Sequence, residues 1–512
     1  FQYVEVTGFP EKPKKESITG LVLGSNTPRV GHFETDHPMV NQLYKNIVWT
    51  QRANFVDIPT DCPQRDERMG WTGDAQTYAG TAAINMDVSA FFTKWIQDLN
   101  DAQWDYGAYP DYAPAPGVRI SDTYAPGWME AGVINPYEQY RAYGDTRIIE
   151  KGWENMERFM AFHDKKSKGT FFYPEGSFAD LSPKGGYGDW LSIGKKTPPD
   201  MLATMYYGYV SQLMSEMATA IGKSGRAMHY QNLSKKIKSA FAEHYMDKES
   251  VRLITNAAAY GDGKGYVDGQ MGFSGHTQTA YANAISLDFL NEEQKKKAGA
   301  HLAQLIYEND GKLATGFLGA KQLLPALTAT GHSDLAYQLL LNEEYPSWGF
   351  EIKNGATTIW ERWDSYVKDD PEKMASLNNG MNSFSHYAFG SVFEWMFNTM
   401  AGIRAEEPAY KTFIIAPEIP QNAINYVAAS HQSIHGKITS SWKKEKGKLL
   451  MEVSIPVNTQ ATVYIPAKNE LEVTLDDIRL DQHQDIQLGH FYKGKQAVKL
   501  GSGTYHFTSH ID

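Results

Sequence analysis

Asp61-Cys62-Pro63-Gln64-Arg65-Asp66-Glu67-Arg68-Met69-Gly70-Trp71-Thr72-Gly73-Asp74 is the densest polar stretch of the chain, with four acids, two arginines and a tryptophan. Like charges gathered in one place raise the pKa of one member, which is how a carboxylic acid keeps a proton to donate near neutral pH. A solvated loop laced with salt bridges would hold as many charges. It would not need a tryptophan between two glycines, nor so many acids of one sign. A second cluster, Thr357-Thr358-Ile359-Trp360-Glu361-Arg362-Trp363-Asp364, sets a carboxylate between two tryptophans and beside an arginine. This reads equally as the wall of a sugar subsite or as an amphipathic turn with Trp360 and Trp363 in the core. Gly188-Asp189-Trp190-Leu191 and His386-Tyr387 are smaller candidates, and a lone histidine in such a place is more often structural than catalytic.

Two separated carboxylates suit glycosidic bond cleavage. The oxocarbenium-like transition state needs a proton on the leaving oxygen and a second carboxylate, at about 6.5–9.5 Å for inversion or about 5–5.5 Å for retention. The two acid clusters lie far apart in the chain and meet only if the fold closes into a ring, as a helical toroid does. Other chemistries find little support. The chain has no Gly-x-Ser-x-Gly elbow, no P-loop and no His-Glu-x-x-His. Cys62 lacks partners for a zinc site, and the adjacent proline and acids argue against a stabilised thiolate. No metal and no cofactor are expected.

The elements that must position these groups fall into three zones. Residues 1–35 carry short β-like runs, Phe1 to Val6 and Ile18 to Leu23, and read as the remnant of an N-terminal β-domain with a linker. From 36 to 405, apolar residues recur at helical spacing: Val88, Phe91, Phe92, Trp95, Ile96 and Leu99, then Leu202, Met205, Tyr206, Tyr209, Val210, Leu213 and Met217. Weaker repeats sit around Trp153–Met160, Leu302–Ile306 and Tyr387–Trp395. Ala75, Tyr78, Ala79, Ala82 and Ala83 predict a helix with Asp74 at its N-terminal end, where a carboxylate is favoured. Long aromatic loops, Trp104 to Trp128 and Phe171 to Pro199, separate the helices, and loops of that length usually carry function. From 406 to 512, Thr412–Ile415, Lys437–Trp442, Leu449–Ile455 and Thr462–Ile465 predict strands of a small antiparallel sandwich.

Bulk composition narrows the partners. The 512 residues carry 49 Lys+Arg against 60 Asp+Glu, a formal charge of -11 that disfavours nucleic acid. No apolar run is long enough to span a membrane. One cysteine allows no intramolecular disulfide, and the 13% of aromatics is compatible with stacking on sugar faces. No signal peptide is visible from Phe1 onward, which leaves periplasm, secretion and cytoplasm open.

With the single loose position Met69, the Asp61–Asp74 stretch resembles the signature of the bacterial α-L-rhamnosidases of glycoside hydrolase family 78. Gly188–Leu191 and Thr357–Asp364 resemble that family's later segments in the expected order. The resemblance implies a mainly α protein: an (α/α)6 toroid followed by a C-terminal antiparallel β-sandwich, with an N-terminal β stub. It implies inversion, with Glu67 as general acid and Glu361 as general base. Asp61, Arg65, Asp74, Asp189 and His386 would be polar sugar contacts, and Trp71, Trp190, Trp360 and Trp363 would shape the pocket. The substrate would be a rhamnose-containing glycoside or polysaccharide. A toroidal exo-glycosidase for another sugar and a non-catalytic sugar-binding relative are the alternatives.

Overall fold

The computed structural model describes residues 4–115, 124–174, 177, 186–255, 266–267, 270–368, 370, 381–484 and 486–511. The expected loops Trp104 to Trp128 and Phe171 to Pro199 lie partly outside these residues, as does the start of the Phe1 to Val6 run. Taken in consecutive pairs along the chain, the helices are α1 (Pro38–Asn54) with α2 (Thr72–Asn85), α3 (Ser89–Asp101) with α4 (Ala131–Tyr143), and α5 (Arg147–Lys166) with α6 (Pro199–Ala220). Then follow α7 (Ser224–Tyr245) with α8 (Gln278–Ser286), α9 (Glu292–Glu308) with α10 (Phe317–Ala329), and α11 (Ser333–Leu341) with a mixed helical stretch over 388–400.

Burial separates the two members of a pair. On α5 the buried residues Ile149, Trp153, Met156, Phe159 and Met160 form one stripe, the mark of a helix with its other face in water. On α2 every residue but Gly80 is buried, and from Gln278 to Ile285 so is all of α8. Helices enclosed all round need small side chains, and α2 supplies Ala75, Ala79, Ala82 and Ala83. The enclosed helices touch in sequence: α2 packs on α4, α4 on α6, α6 on α8, α8 on α10, α10 on 388–395, and 388–395 on α2. The ring is closed, which makes an (α/α)6 toroid of the helical pattern.

Residues 403–510, joined by Gly31–Thr35, form two sheets. The first runs Gly31–Thr35, Tyr426–Ser433, Gly436–Glu445, Lys448–Ile455, Gly503–His510, Val473–Leu475 and Ile478–Arg479; the second runs Gln487–Tyr492, Lys495–Leu500, Gln460–Pro466, Thr412–Ile415 and Ile403–Ala405. Lys446 and Gly447, with φ of 51° and 77°, make the two-residue hairpin whose twist matches its strands. Three features depart from the sequence reading. Gln460–Pro466 pairs in parallel with Thr412–Ile415, so the sandwich is not antiparallel throughout. Gly31–Thr35, expected as part of a remnant, pairs with Tyr426–Ser433 and forms an edge strand of the C-terminal sheet. The runs at Val4–Val6 and Ile18–Leu23 form no strand: among the described residues nothing pairs with them, and Leu21 is 82% exposed.

The sandwich is bonded to the toroid where the last helical stretch runs out of intrahelical partners. Trp442 Nε1 donates to the Met400 carbonyl at 2.7 Å and Ser440 Oγ to the Ala401 carbonyl at 2.7 Å. Phe33 adds an apolar tie, its ring edge-on to Tyr44 at 5.8 Å and to Phe393 at 5.7 Å. Phe33→Ala is expected to lower stability by about 3–5 kcal/mol, the cost of emptying a buried aromatic site. A urea midpoint shifted no more than by a surface substitution would make that strand peripheral.

Candidate functional site

The pocket lies where the inner helices begin. Trp71 and Asp74 open α2, Trp128 precedes α4, Tyr187 and Trp190 sit on the loop before α6, Phe317 opens α10 and His386 precedes 388–400. Helix N-termini carry partial positive charge, so a ring of them favours the carboxylates gathered here. The cavity is lined by these residues with Asp61, Arg65, Glu67, Glu361 and Met381.

Close backbone approaches shape the acidic loop. A Cβ on Gly70 would stand 2.3 Å from the Ala113 carbonyl oxygen, and one on Gly73 would stand 2.3 Å from the Trp128 ring. Glycine at these two positions lets the loop lie against 110–113 and lets Trp128 reach the pocket. Asp61 is fixed by its own loop, since Met69 N donates to Asp61 Oδ1 at 2.9 Å and Asp61 N to the Met69 carbonyl at 2.9 Å. The second cluster is held from below. Glu361 N donates to the Ser383 carbonyl at 2.9 Å, His386 N to the Ile359 carbonyl at 2.9 Å, and Ile359 N to Thr50 Oγ1 at 2.8 Å. Gln64 Nε2 reaches Ser383 Oγ at 2.9 Å and ties the two clusters together.

Arg65 is the centre of the charge arrangement. Its Nη2 bonds Glu67 Oε2 and stands 3.7 Å from Asp61 Oδ2, while Nη1 is 3.3 Å from Glu361 Oε2. Glu361 is 2% exposed and Asp61 1%. Burial, reinforced by the Glu67 charge, pushes Asp61 up to about 7. Burial also raises Glu361, against the pull of the Arg65 charge. Asp74 is raised by burial and by its carboxylate neighbours, and its Oδ1 lies 3.1 Å from His386 Nε2. Burial drops His386 to about 3, so its imidazole is neutral over the physiological range. Asp61, Cys62 and Glu67 bring potential metal-ligating atoms within 4.8 Å of one another. Arg65 already contacts all three, with Nε donating to Cys62 Sγ at 3.2 Å, so a guanidinium stands where a cation would.

Of the sequence candidates, Asp61, Arg65, Glu67, Trp71, Asp74, Trp190, Glu361 and His386 line the cavity together. Asp189, Trp360 and Trp363 do not. Asp189 turns its carboxylate into the protein, where Gly316 N and Gly319 N donate to it at 2.7 and 2.9 Å. Trp363 stacks on Phe389 at 3.9 Å and gives its Nε1–H to the Thr315 carbonyl, and Trp360 packs edge-on to Phe384. The turn that aims Glu361 at the cavity sends both tryptophans into the core. Trp128, Tyr187, Phe317 and Met381 line the pocket without having been singled out. Tyr187 sits next to a motif already noted and Trp128 ends a flagged loop, while Phe317 carries no local signal beyond starting a helix.

Comparison with known proteins decides the family. Residues 28–400 match the family described as the bacterial alpha-L-rhamnosidase 6 hairpin glycosidase domain, and residues 402–477 match the bacterial alpha-L-rhamnosidase C-terminal domain. The chain belongs to the bacterial α-L-rhamnosidases. An α-L-rhamnosidase of Streptomyces avermitilis is 39% identical over 99% of the chain and 45% of its own length. One from Formosa agariphila is 36% identical over 99% of the chain and 52% of its own. The chain therefore spans about half the length of the curated relatives it matches. Among solved structures, the Streptomyces avermitilis enzyme complexed with L-rhamnose superposes with a TM-score of 0.84 at 37% identity, covering 98% of this chain and 44% of that one. The α-L-rhamnosidase from Dictyoglumus thermophilum gives 0.82 at 28% identity, covering 98% and 52%.

The raised Asp61 has a consequence for stability in this rhamnosidase-family chain. The native state keeps a proton on Asp61 up to about pH 7, whereas the unfolded chain releases it above about 3.9. Between those values the native state binds more protons, so this contribution to stability shrinks as pH rises through the window. Urea unfolding of Asp61→Asn against the parent is expected to show the parent losing more stability between about pH 4 and about pH 7. Parallel curves would mean that Asp61 titrates normally.

Proposed function

We propose that the chain hydrolyses terminal α-L-rhamnosides with inversion at the anomeric carbon. The observation that carries this reading is the single guanidinium of Arg65 spanning the cavity between Glu67 and Glu361. Both acids line one cavity, and inverting glycosidases use two such carboxylates with a water between one of them and the sugar. Glu67, partly exposed, gives a proton to the departing glycosidic oxygen. Glu361, buried, takes a proton from the water as the water oxygen bonds to C1. The C1–O bond breaks, the aglycone leaves as the alcohol, and β-L-rhamnose remains.

The relatives' printed activity and the rhamnose bound in one of their structures support rhamnose as the sugar. So does the wall: Trp71, Trp128, Tyr187, Trp190 and Phe317 offer apolar surface to a C6 methyl and little to a C6 hydroxyl. Such a wall discriminates by about 1–3 kcal/mol. Asp61, Asp74, Arg65 and His386 supply hydrogen-bonding groups for the ring hydroxyls. A panel of nitrophenyl glycosides separates this reading from action on another sugar. Turnover of the α-L-rhamnoside is expected, and turnover of a different glycoside alone would reject it. Glu67→Gln and Glu361→Gln are each expected to lower kcat on the α-L-rhamnoside by about 10² or more with the melting temperature retained. Full activity in either variant would remove that residue from its role.

A further inference from the structure

We infer that Asp189 is a positioning residue that fixes the aromatic wall of the sugar pocket from behind. This rests on the rhamnoside reading of the pocket. Asp189 sits one residue before Trp190, is 4% exposed and has both carboxylate oxygens occupied. Oδ2 accepts from Thr279 Oγ1 on α8 and from Gly316 N at 2.7 Å, and Oδ1 accepts from Gly319 N at 2.9 Å. A carboxylate at a helix N-terminus satisfies amides that have no intrahelical partner and complements the helix dipole. Here that helix is α10, and its first residue is Phe317, which lines the pocket.

The clamp joins two parts of the wall. The Trp190 carbonyl accepts from Phe317 N at 3.0 Å, and Ile193 N donates to the Ala314 carbonyl at 2.8 Å. Gly316 admits this contact, since a Cβ there would stand 2.0 Å from the Trp190 oxygen. The adjoining Thr315 carbonyl accepts from Trp363 Nε1 at 3.2 Å, two residues beyond Glu361. One buried carboxylate thus sets the relative position of Trp190 and Phe317 and reaches toward the backbone that carries Glu361. Its own oxygens are turned away from the sugar.

The test uses L-rhamnose affinity, read by intrinsic fluorescence or calorimetry, beside KM and kcat on the nitrophenyl α-L-rhamnoside. In Asp189→Asn an amide N–H₂ faces an amide N–H, and one arm of the clamp is lost. Rhamnose binding is expected to weaken about tenfold, equivalent to 1.4 kcal/mol, with KM rising alike and kcat within about threefold. Thr279→Val, remote from the sugar, is expected to shift affinity in the same direction, and Thr279→Ser, which keeps the hydroxyl, is expected to match the parent. If Asp189→Asn does not fold, the Thr279 pair decides. Affinity and KM within twofold of the parent, even with a lowered melting temperature, would overturn the inference and leave Asp189 a purely structural residue. A parent protein that binds no rhamnose would instead defeat the functional reading on which the inference rests.

Discussion

The pocket depends on a partly buried cation. Asp61, Glu67 and Glu361 crowd around Arg65, and two of those acids are almost wholly removed from water. Taking charges out of solvent costs several kcal/mol each, and the cost is met only where opposite charge and hydrogen bonds are close. Without the guanidinium, the acids would face one another across a low-dielectric cavity. Removing one partner of such a cluster commonly costs about 3–5 kcal/mol. The same arrangement leaves the carboxylates poised, because burial and mutual repulsion push Asp61, Asp74 and Glu361 up while the arginine restrains Glu361.

Arg65 and Glu361 come from opposite ends of the helical region, so this contact requires a closed ring. The inner helices provide it by packing on one another in a ring, with an alanine-rich, almost wholly buried α2 and continuous burial on α8. Because each inner helix starts at the same end, the loops before them converge there and bring their polar and aromatic residues to one mouth. The helix N-termini then face a cluster of carboxylates, which is electrostatically favourable. The C-terminal sandwich is fixed through the Met400 and Ala401 carbonyls and through the Gly31–Thr35 strand.

Much of this was legible in the sequence because it is local. The stripe from Val88 to Leu99 lies on α3, and Leu202 to Met217 lies on α6. Thr412–Ile415, Lys437–Trp442, Leu449–Ile455 and Thr462–Ile465 were readable as strands from β-branched alternation, whereas Tyr426–Ser433 between them was not singled out. The acidic loop announced itself by its density of charge around glycine and tryptophan. What stayed hidden was long-range or directional. Gly31–Thr35 has alternation but no sequence sign of its partner at Tyr426–Ser433. Trp360 and Trp363 flank Glu361, and spacing does not say which of the three faces the cavity. Asp189 was expected as a sugar contact from the family resemblance, whereas the amides of Gly316 and Gly319 claim it. Phe317 enters the pocket only because α10 begins where it does.

The central claim is that Glu67 and Glu361 act from opposite faces of one sugar ring, with water on the Glu361 side. The most direct measurement is proton NMR of the anomeric signals during the first moments of hydrolysis, before mutarotation mixes them. Attack by water from the face opposite the leaving group predicts that β-L-rhamnose is released first. Initial release of α-L-rhamnose would mean two displacements at C1, and would contradict the assignment of Glu361 as a base acting through water.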